Sequence, residues 1–163
     1  MVSPAIPAAV TTHIISRPAS LAGTLAVPGD KSISHRSLIL NALAQGRAVV
    51  RGLSDGEDVL STMRCLQALG VIIEPAASPG EYTIDGQGPQ LEEPDDILDA
   101  GNSGTSMRLL SGLLASQRFV SVLTGDQSLR SRPMRRIVDP LKLMGAEILG
   151  RRDDSLAPLV IRG

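Results

Sequence analysis

Apolar residues along this chain alternate between helical spacing and short β-branched runs, and the alternation happens twice. The run Ser32–Ala44 is apolar on one side and ends near Gly46, which predicts a helix; Ala48–Leu53 is short and β-branched, which predicts a strand. Ser54 with Glu57 reads as a capping box, opening a helix whose Val59, Met63, Leu66 and Leu69 fall three or four apart. Gly70 suits the position just past its end. Val71–Glu74 and Glu81–Asp85 then predict a hairpin across Pro75–Gly80.

The second half repeats the pattern. A helix is predicted over Gly104–Ser116, a strand over Phe119–Thr124, and a helix capped by Ser131 with Pro133 in its first turn. Met134, Ile137, Val138 and Leu141 form its stripe, Pro140 is expected to kink it, and Gly145 to close it. Glu147–Leu149 with Leu159–Arg162 predicts a second hairpin. Leu66-Gln-Ala-Leu-Gly70 recurs as Leu141-Lys-Leu-Met-Gly145, and Tyr82-Thr-Ile-Asp-Gly86 as Leu159-Val-Ile-Arg-Gly163. With Ile97–Asp99 as leading strand of the second copy and Leu25–Val27 of the first, the chain reads as an α/β protein of two βαβαββ units. The boundaries expected are a disordered leader over 1–12, a first strand and crossover over 13–27, and units over 28–90 and 91–163.

The 163 residues carry a formal charge of −1 and are 42% hydrophobic and 20% charged, enough for one core or two small ones. That balance, with Tyr82 and Phe119 the only aromatics, argues against a nucleic-acid-binding surface. No apolar run reaches membrane-spanning length, so no membrane partner is expected. The single cysteine, Cys65, lies on an apolar stripe and reads as a buried thiol. His13 and His35 are too few and too far apart for a metal, and the uncharged first dozen residues suggest a cytoplasmic protein.

Two segments carry candidate chemistry: Pro28-Gly-Asp-Lys-Ser-Ile-Ser-His-Arg36 and Gly101-Asn-Ser-Gly-Thr-Ser-Met-Arg108. Each runs from a glycine turn into a helix start, where unpaired N–H groups and the dipole favour an anion. Lys31 and Arg36 oppose that dipole at a cost of about 0.3–1 kcal/mol each unless an anion compensates, which marks them as ligands. Ser32 shares their helix end. His35 is open between ligand and packing, and Asn102, Gly104 and Thr105 between an anion-receiving turn of positive φ and an ordinary cap. Arg108 can brace the loop. Arg132, in Arg130-Ser-Arg-Pro-Met-Arg-Arg136, falls at the expected cap, whereas Arg135 and Arg136 read as solvated charges. Asp55, Glu57 and Asp58 read as dipole-stabilising acids. No Walker loop, dinucleotide fingerprint or Ser–His–Asp pattern appears, and no cofactor is expected.

These segments, with Leu53-Ser-Asp-Gly-Glu-Asp-Val59 and Leu123-Thr-Gly-Asp-Gln-Ser-Leu-Arg-Ser-Arg-Pro-Met134, closely resemble the 5-enolpyruvylshikimate-3-phosphate synthases, the glyphosate targets of the shikimate pathway, over about residues 13–163. The variants at His35 and Gly56–Asp58 are similar to the bacterial second class. The resemblance implies the enolpyruvyl transferase fold, an inside-out α/β barrel of which this chain would hold two of the three units of the N-terminal domain. Ile14–Pro18 would start a strand in the other domain. It implies that Lys31 contacts both ligands, that Ser32 and Arg36 hold shikimate 3-phosphate, that Asn102, Gly104 and Thr105 present backbone to phosphoenolpyruvate, and that Arg132 pairs with its carboxylate or phosphate. Catalytic acid–base groups are expected outside this chain, in a missing C-terminal part of the same enzyme. Leu109 stands where many first-class members have proline and Ser103 where they often have alanine. The related UDP-N-acetylglucosamine enolpyruvyl transferases carry a reactive loop cysteine, which Cys65 does not match. A non-catalytic anion-binding module, or an RNA-end cyclase of similar units, is the remaining alternative.

Overall fold

A computed structural model describes residues 12–25 and 27–163. Asp30 sets the first helix: its carboxylate accepts from the Ile33 amide at 2.8 Å, and α1 runs over Lys31–Leu43. β1 (Gln45–Val50), α2 (Glu57–Ala68), β2 (Ile72–Pro75) and β3 (Tyr82–Gln87) follow. The second unit contains β4 (Leu98–Asp99), α3 (Gly104–Leu114), β5 (Val120–Thr124), α4 (Arg135–Leu143), β6 (Glu147–Gly150) and β7 (Leu156–Arg162). Glycines 70 and 145, expected past the ends of α2 and α4, hold φ of 85° and 105° there.

Two expected caps are not made. Ser54 does not cap α2; Gly56 occupies that position without a side-chain bond, and the first-turn acids Glu57 and Asp58 offset the dipole instead. Ser131 does not cap α4 either. Asp126 accepts from the Leu129 amide at 2.7 Å and coils Leu129–Ser131 into a single 3₁₀ turn, so α4 starts only after Met134. α4 then runs through Pro140.

The strands form a three-stranded antiparallel sheet in the order β1-β3-β2 and a four-stranded sheet in the order β4-β5-β7-β6. In the first, Ile84 lies opposite both Ala48 and Ile73; in the second, β4 joins β5 in parallel, Leu98 facing Leu123. β5-β7-β6 therefore reproduces β1-β3-β2, as a repeat requires. Among the described residues the first unit shows no counterpart of β4. Leu25 and Val27 carry no strand and are 84% and 77% exposed, while Ala26 lies outside the described residues. Ile14–Pro18 carries no strand either, with Ile14 and Ile15 exposed. An isolated extended segment with no face buried has nothing to hold it as a strand. The leader expected over 1–12 lies outside the described residues except for Thr12.

One apolar core serves both units. α1 packs on β3 and α2, α2 on α3, and α3 on α4, β5 and β7. Leu38, Leu66, Ile84, Leu110, Leu123 and Ile161 are fully buried within it, each contributing about 1.5–3 kcal/mol by leaving water. Buried Gln117 ties the connector between units to α3, accepting from the Leu91 amide and donating to the Pro89 and Leu113 carbonyls. Among the described residues no helix is long and apolar enough to cross a membrane.

Candidate anion-binding site

The starts of α1, α2 and α3 converge. On α1, Lys31 extends to Asp58 in the first turn of α2, with Nζ donating to Oδ2 at 3.0 Å. Part of the charge compensation that Lys31 needs is thus internal. Arg36 folds back to donate to the Ser32 carbonyl at 3.0 Å, and both residues stay exposed. The loop before α1 is pressed onto the one before α2. A Cβ at Gly29 would run into the Gly52 carbonyl, and Ser34 Oγ accepts from the Ser54 amide at 3.0 Å.

At α3, Ser103 caps the helix by accepting from the Ser106 amide at 3.0 Å. Gly104 follows, buried, with the guanidiniums of Arg108 and Arg132 against the place a side chain would fill: a Cβ there would stand 2.6 Å and 3.3 Å from them. Arg108 also donates to the Gly104 carbonyl at 3.0 Å, the bracing role open to it in the sequence. Arg132 Nη2 donates to Asn102 Oδ1 at 2.5 Å, and Asn102 Nδ2 to Asp126 Oδ2 at 2.6 Å. The Asn102 amide and the Leu129 N–H hold the Asp126 carboxyl below its ordinary value. Half-buried Thr105 lies beside Gly104.

A buried polar chain joins these ends. His35 Nδ1 lies 2.8 Å from Thr62 Oγ1, which lies 2.6 Å from Ser106 Oγ, and that oxygen lies 3.0 Å from the Asp58 carbonyl and 2.7 Å from Ser103 Oγ. His35, Thr62, Ser103 and Ser106 are all 0% exposed. Burial lowers the His35 pKa; Asp58 opposes this, and Lys31 and Arg36 reinforce it.

The structure thus brings Asn102, Gly104, Thr105 and Arg132 together, and links Lys31 to them through Asp58 and Ser106. Ser32 and Arg36 remain on the exposed side of α1, bonded to each other. Two expectations need correction. Gly104 opens α3 without a positive φ; the left-handed residue of the turn is Gly101, at 57°. Arg132 ends the 3₁₀ turn and does not cap α4, because Asp126 starts that turn earlier in the chain. The hydroxyls of Thr62 and Ser106 were not singled out by the sequence; Ser103 three residues before Ser106, a serine pair at capping distance, was the available signal.

Residues 15–163 match the family model for EPSP synthase (3-phosphoshikimate 1-carboxyvinyltransferase). The chain belongs to this family. It is 59% identical over 145 residues to the 3-phosphoshikimate 1-carboxyvinyltransferase of Magnetococcus marinus, covering 88% of this chain and 32% of that protein. To the Herpetosiphon aurantiacus enzyme of that name it is 55% identical, covering 91% and 34%. The EPSP synthase structure from Acinetobacter baumannii superposes with a TM-score of 0.82 at 50% identity, over 86% of this chain and 32% of that one. The chain spans about a third of the length of the relatives it matches.

Cys65 is a core residue of this chain. It is 2% exposed, its thiol points at the Asp99 carbonyl at 3.4 Å, and burial pushes its pKa up to about 12. Only the thiolate is nucleophilic, so at neutral pH the folded chain should resist a thiol-alkylating reagent and react readily once unfolded. Mass-spectrometric alkylation with and without denaturant checks this; equal rates would place Cys65 at an accessible surface.

Proposed function

We propose that this chain is the N-terminal substrate-binding part of an enzyme that transfers the enolpyruvyl group of phosphoenolpyruvate to shikimate 3-phosphate. The observation that carries the reading is the meeting of three helix starts with Lys31, Gly104 and Arg132, in a chain of this family. Helix starts and guanidiniums suit phosphate and carboxylate groups, and the two substrates bring both. The shikimate 5-hydroxyl adds to C2 of phosphoenolpyruvate as C3 takes a proton; phosphate then leaves the tetrahedral intermediate as C3 gives up a proton. This chain's groups act by positioning and charge stabilisation, with Lys31 toward both ligands, Ser32 and Arg36 toward shikimate 3-phosphate, and Arg132 with the Asn102–Thr105 turn toward phosphoenolpyruvate.

The acid–base groups come from the remaining part of the enzyme. Ile33 and Leu40, 69% and 65% exposed on α1, support a packing partner on that side. The complete enzyme works in the cytoplasm, where an unpaired Cys65 stays reduced. Phosphate release from the two substrates should be absent with this chain alone and appear when the remaining part of the enzyme is added. Phosphate released by the chain alone, or none from the complemented enzyme, would refute this assignment.

In that complemented enzyme, Arg36→Ala should weaken shikimate 3-phosphate binding by about tenfold or more, as loss of a charge-assisted contact of about 1.5–3 kcal/mol demands. Arg135→Ala, exposed and bonded only to the Asp153 carbonyl at 3.3 Å, should change little. Calorimetry on both variants tests the contrast, and equal effects would remove Arg36 from the ligand set.

Glyphosate is the expected inhibitor, and Gly104 the residue that admits it. A methyl at Gly104 must displace the Arg108 guanidinium and crowd that of Arg132. Gly104→Ala should therefore raise the glyphosate inhibition constant far more than the phosphoenolpyruvate KM, since the longer ligand needs the space the methyl takes. Paired inhibition series in one background measure the ratio; an unchanged ratio would make Gly104 a turn residue only.

A further inference from the structure

Each hydroxyl in the buried chain has one proton to give, and that limit fixes the direction in which the chain runs. Ser106 Oγ has three polar neighbours: Thr62 Oγ1 at 2.6 Å, Ser103 Oγ at 2.7 Å and the Asp58 carbonyl at 3.0 Å, and Ser103 Oγ also accepts from the Ser106 N–H. The Asp58 carbonyl can only accept, and Ser103 Oγ also stands as an acceptor, so the Ser106 proton is directed to that side and not to Thr62. With its proton directed away from Thr62, Ser106 accepts from the Thr62 hydroxyl. Thr62, having given its proton, must accept from His35, which makes Nδ1 the protonated nitrogen. The opposite direction would leave a buried N–H on Nε2, which has no hydrogen-bond partner among the described residues. A buried donor without a partner is rarer and costlier than a spare acceptor lone pair.

We propose that His35, as the Nδ1–H tautomer, is a positioning residue: by donating to Thr62 it drives a one-way hydrogen-bond chain that locks the first turn of α3 onto α1 and α2. The chain crosses from α1 (His35) to α2 (Thr62) to α3 (Ser106), and it ends at the Asp58 backbone, beside the carboxylate that holds Lys31. His35 therefore sets the spacing between the Lys31 end of the site and the Gly104 end without touching a ligand. The consequence for ligand binding rests on the enolpyruvyl-transfer reading; the hydrogen-bond chain itself does not.

Asparagine carries an amide nitrogen at the same distance from Cβ as imidazole Nδ1 and can give the same hydrogen bond, whereas leucine fills the space and gives none. The test compares wild type, His35→Asn, His35→Leu and Thr62→Val. In the isotope-labelled 163-residue chain, ring nitrogen shifts should show Nδ1 protonated and Nε2 bare at neutral pH. The Gly104 and Thr105 amide signals should stay at their wild-type positions in His35→Asn and move in His35→Leu. Thr62→Val, which breaks the same chain from its middle, should move them likewise and stands in if the leucine variant does not fold. In the complemented enzyme, the variants that move these amides should weaken both shikimate 3-phosphate and phosphoenolpyruvate by about tenfold, since one buried hydrogen bond is lost from a site both share. A protonated Nε2, or amides unmoved in both His35→Leu and Thr62→Val, overturns the proposal. The expected ring and amide signals with no binding of either ligand by the wild-type complemented enzyme would uphold the positioning chain and refute the substrate assignment instead.

Discussion

Three helix starts pointed at one place present three sets of unpaired N–H groups and three dipole ends of the same sign. Left alone they would repel, and the rest of the architecture depends on how that is resolved. Each start is compensated locally: Asp30 accepts from an amide of α1, the charges of Glu57 and Asp58 offset the dipole of α2, and Ser103 accepts from an amide of α3. What remains is positional, and the line from His35 to Ser106 supplies it inside the core, where an unfilled hydroxyl would cost about 1–3 kcal/mol. A polar line so buried has one good arrangement, and it carries the ends of all three helices with it.

The repeat explains why two such ends occur side by side. Each unit contributes a helix start of this kind, α1 in the first and α3 in the second, and the two units share one core across α1, α2 and α3. The second copy is complete, with β4 extending its sheet in parallel; the first offers an open edge at β1 among the described residues. The site therefore lies between copies rather than within either.

Periodicity alone located almost every element that the core holds in place. The Val59–Leu69 stripe, both hairpins and the glycines after α2 and α4 follow from side-chain volume and backbone sterics, which are local properties. The misplacements share a different cause. Ser54 and Ser131 have capping chemistry, but Asp126, close to Ser131 in the chain and not counted with it, claimed the turn first; Leu25 and Val27 have strand chemistry and no face to bury. Lys31, Gly104 and Arg132 could be named as candidates because charge and small size at a helix start are visible in one dimension. The pairing of Lys31 with Asp58, and of Thr62 with Ser106, joins residues distant in sequence through contacts that only the fold creates.

The contact of Gly29 with the Gly52 carbonyl sets a limit of another kind. No side chain at all fits at position 29 unless the loop ahead of α2 retreats, and that loop is tied through Ser54 to Ser34. Mutational freedom in this stretch is thus set by a steric gate in the backbone, independent of what the neighbouring charges bind. A library that randomised Val27–Arg36 to alter ligand preference would lose variants at Gly29 to misfolding before any of them could be sorted by chemistry.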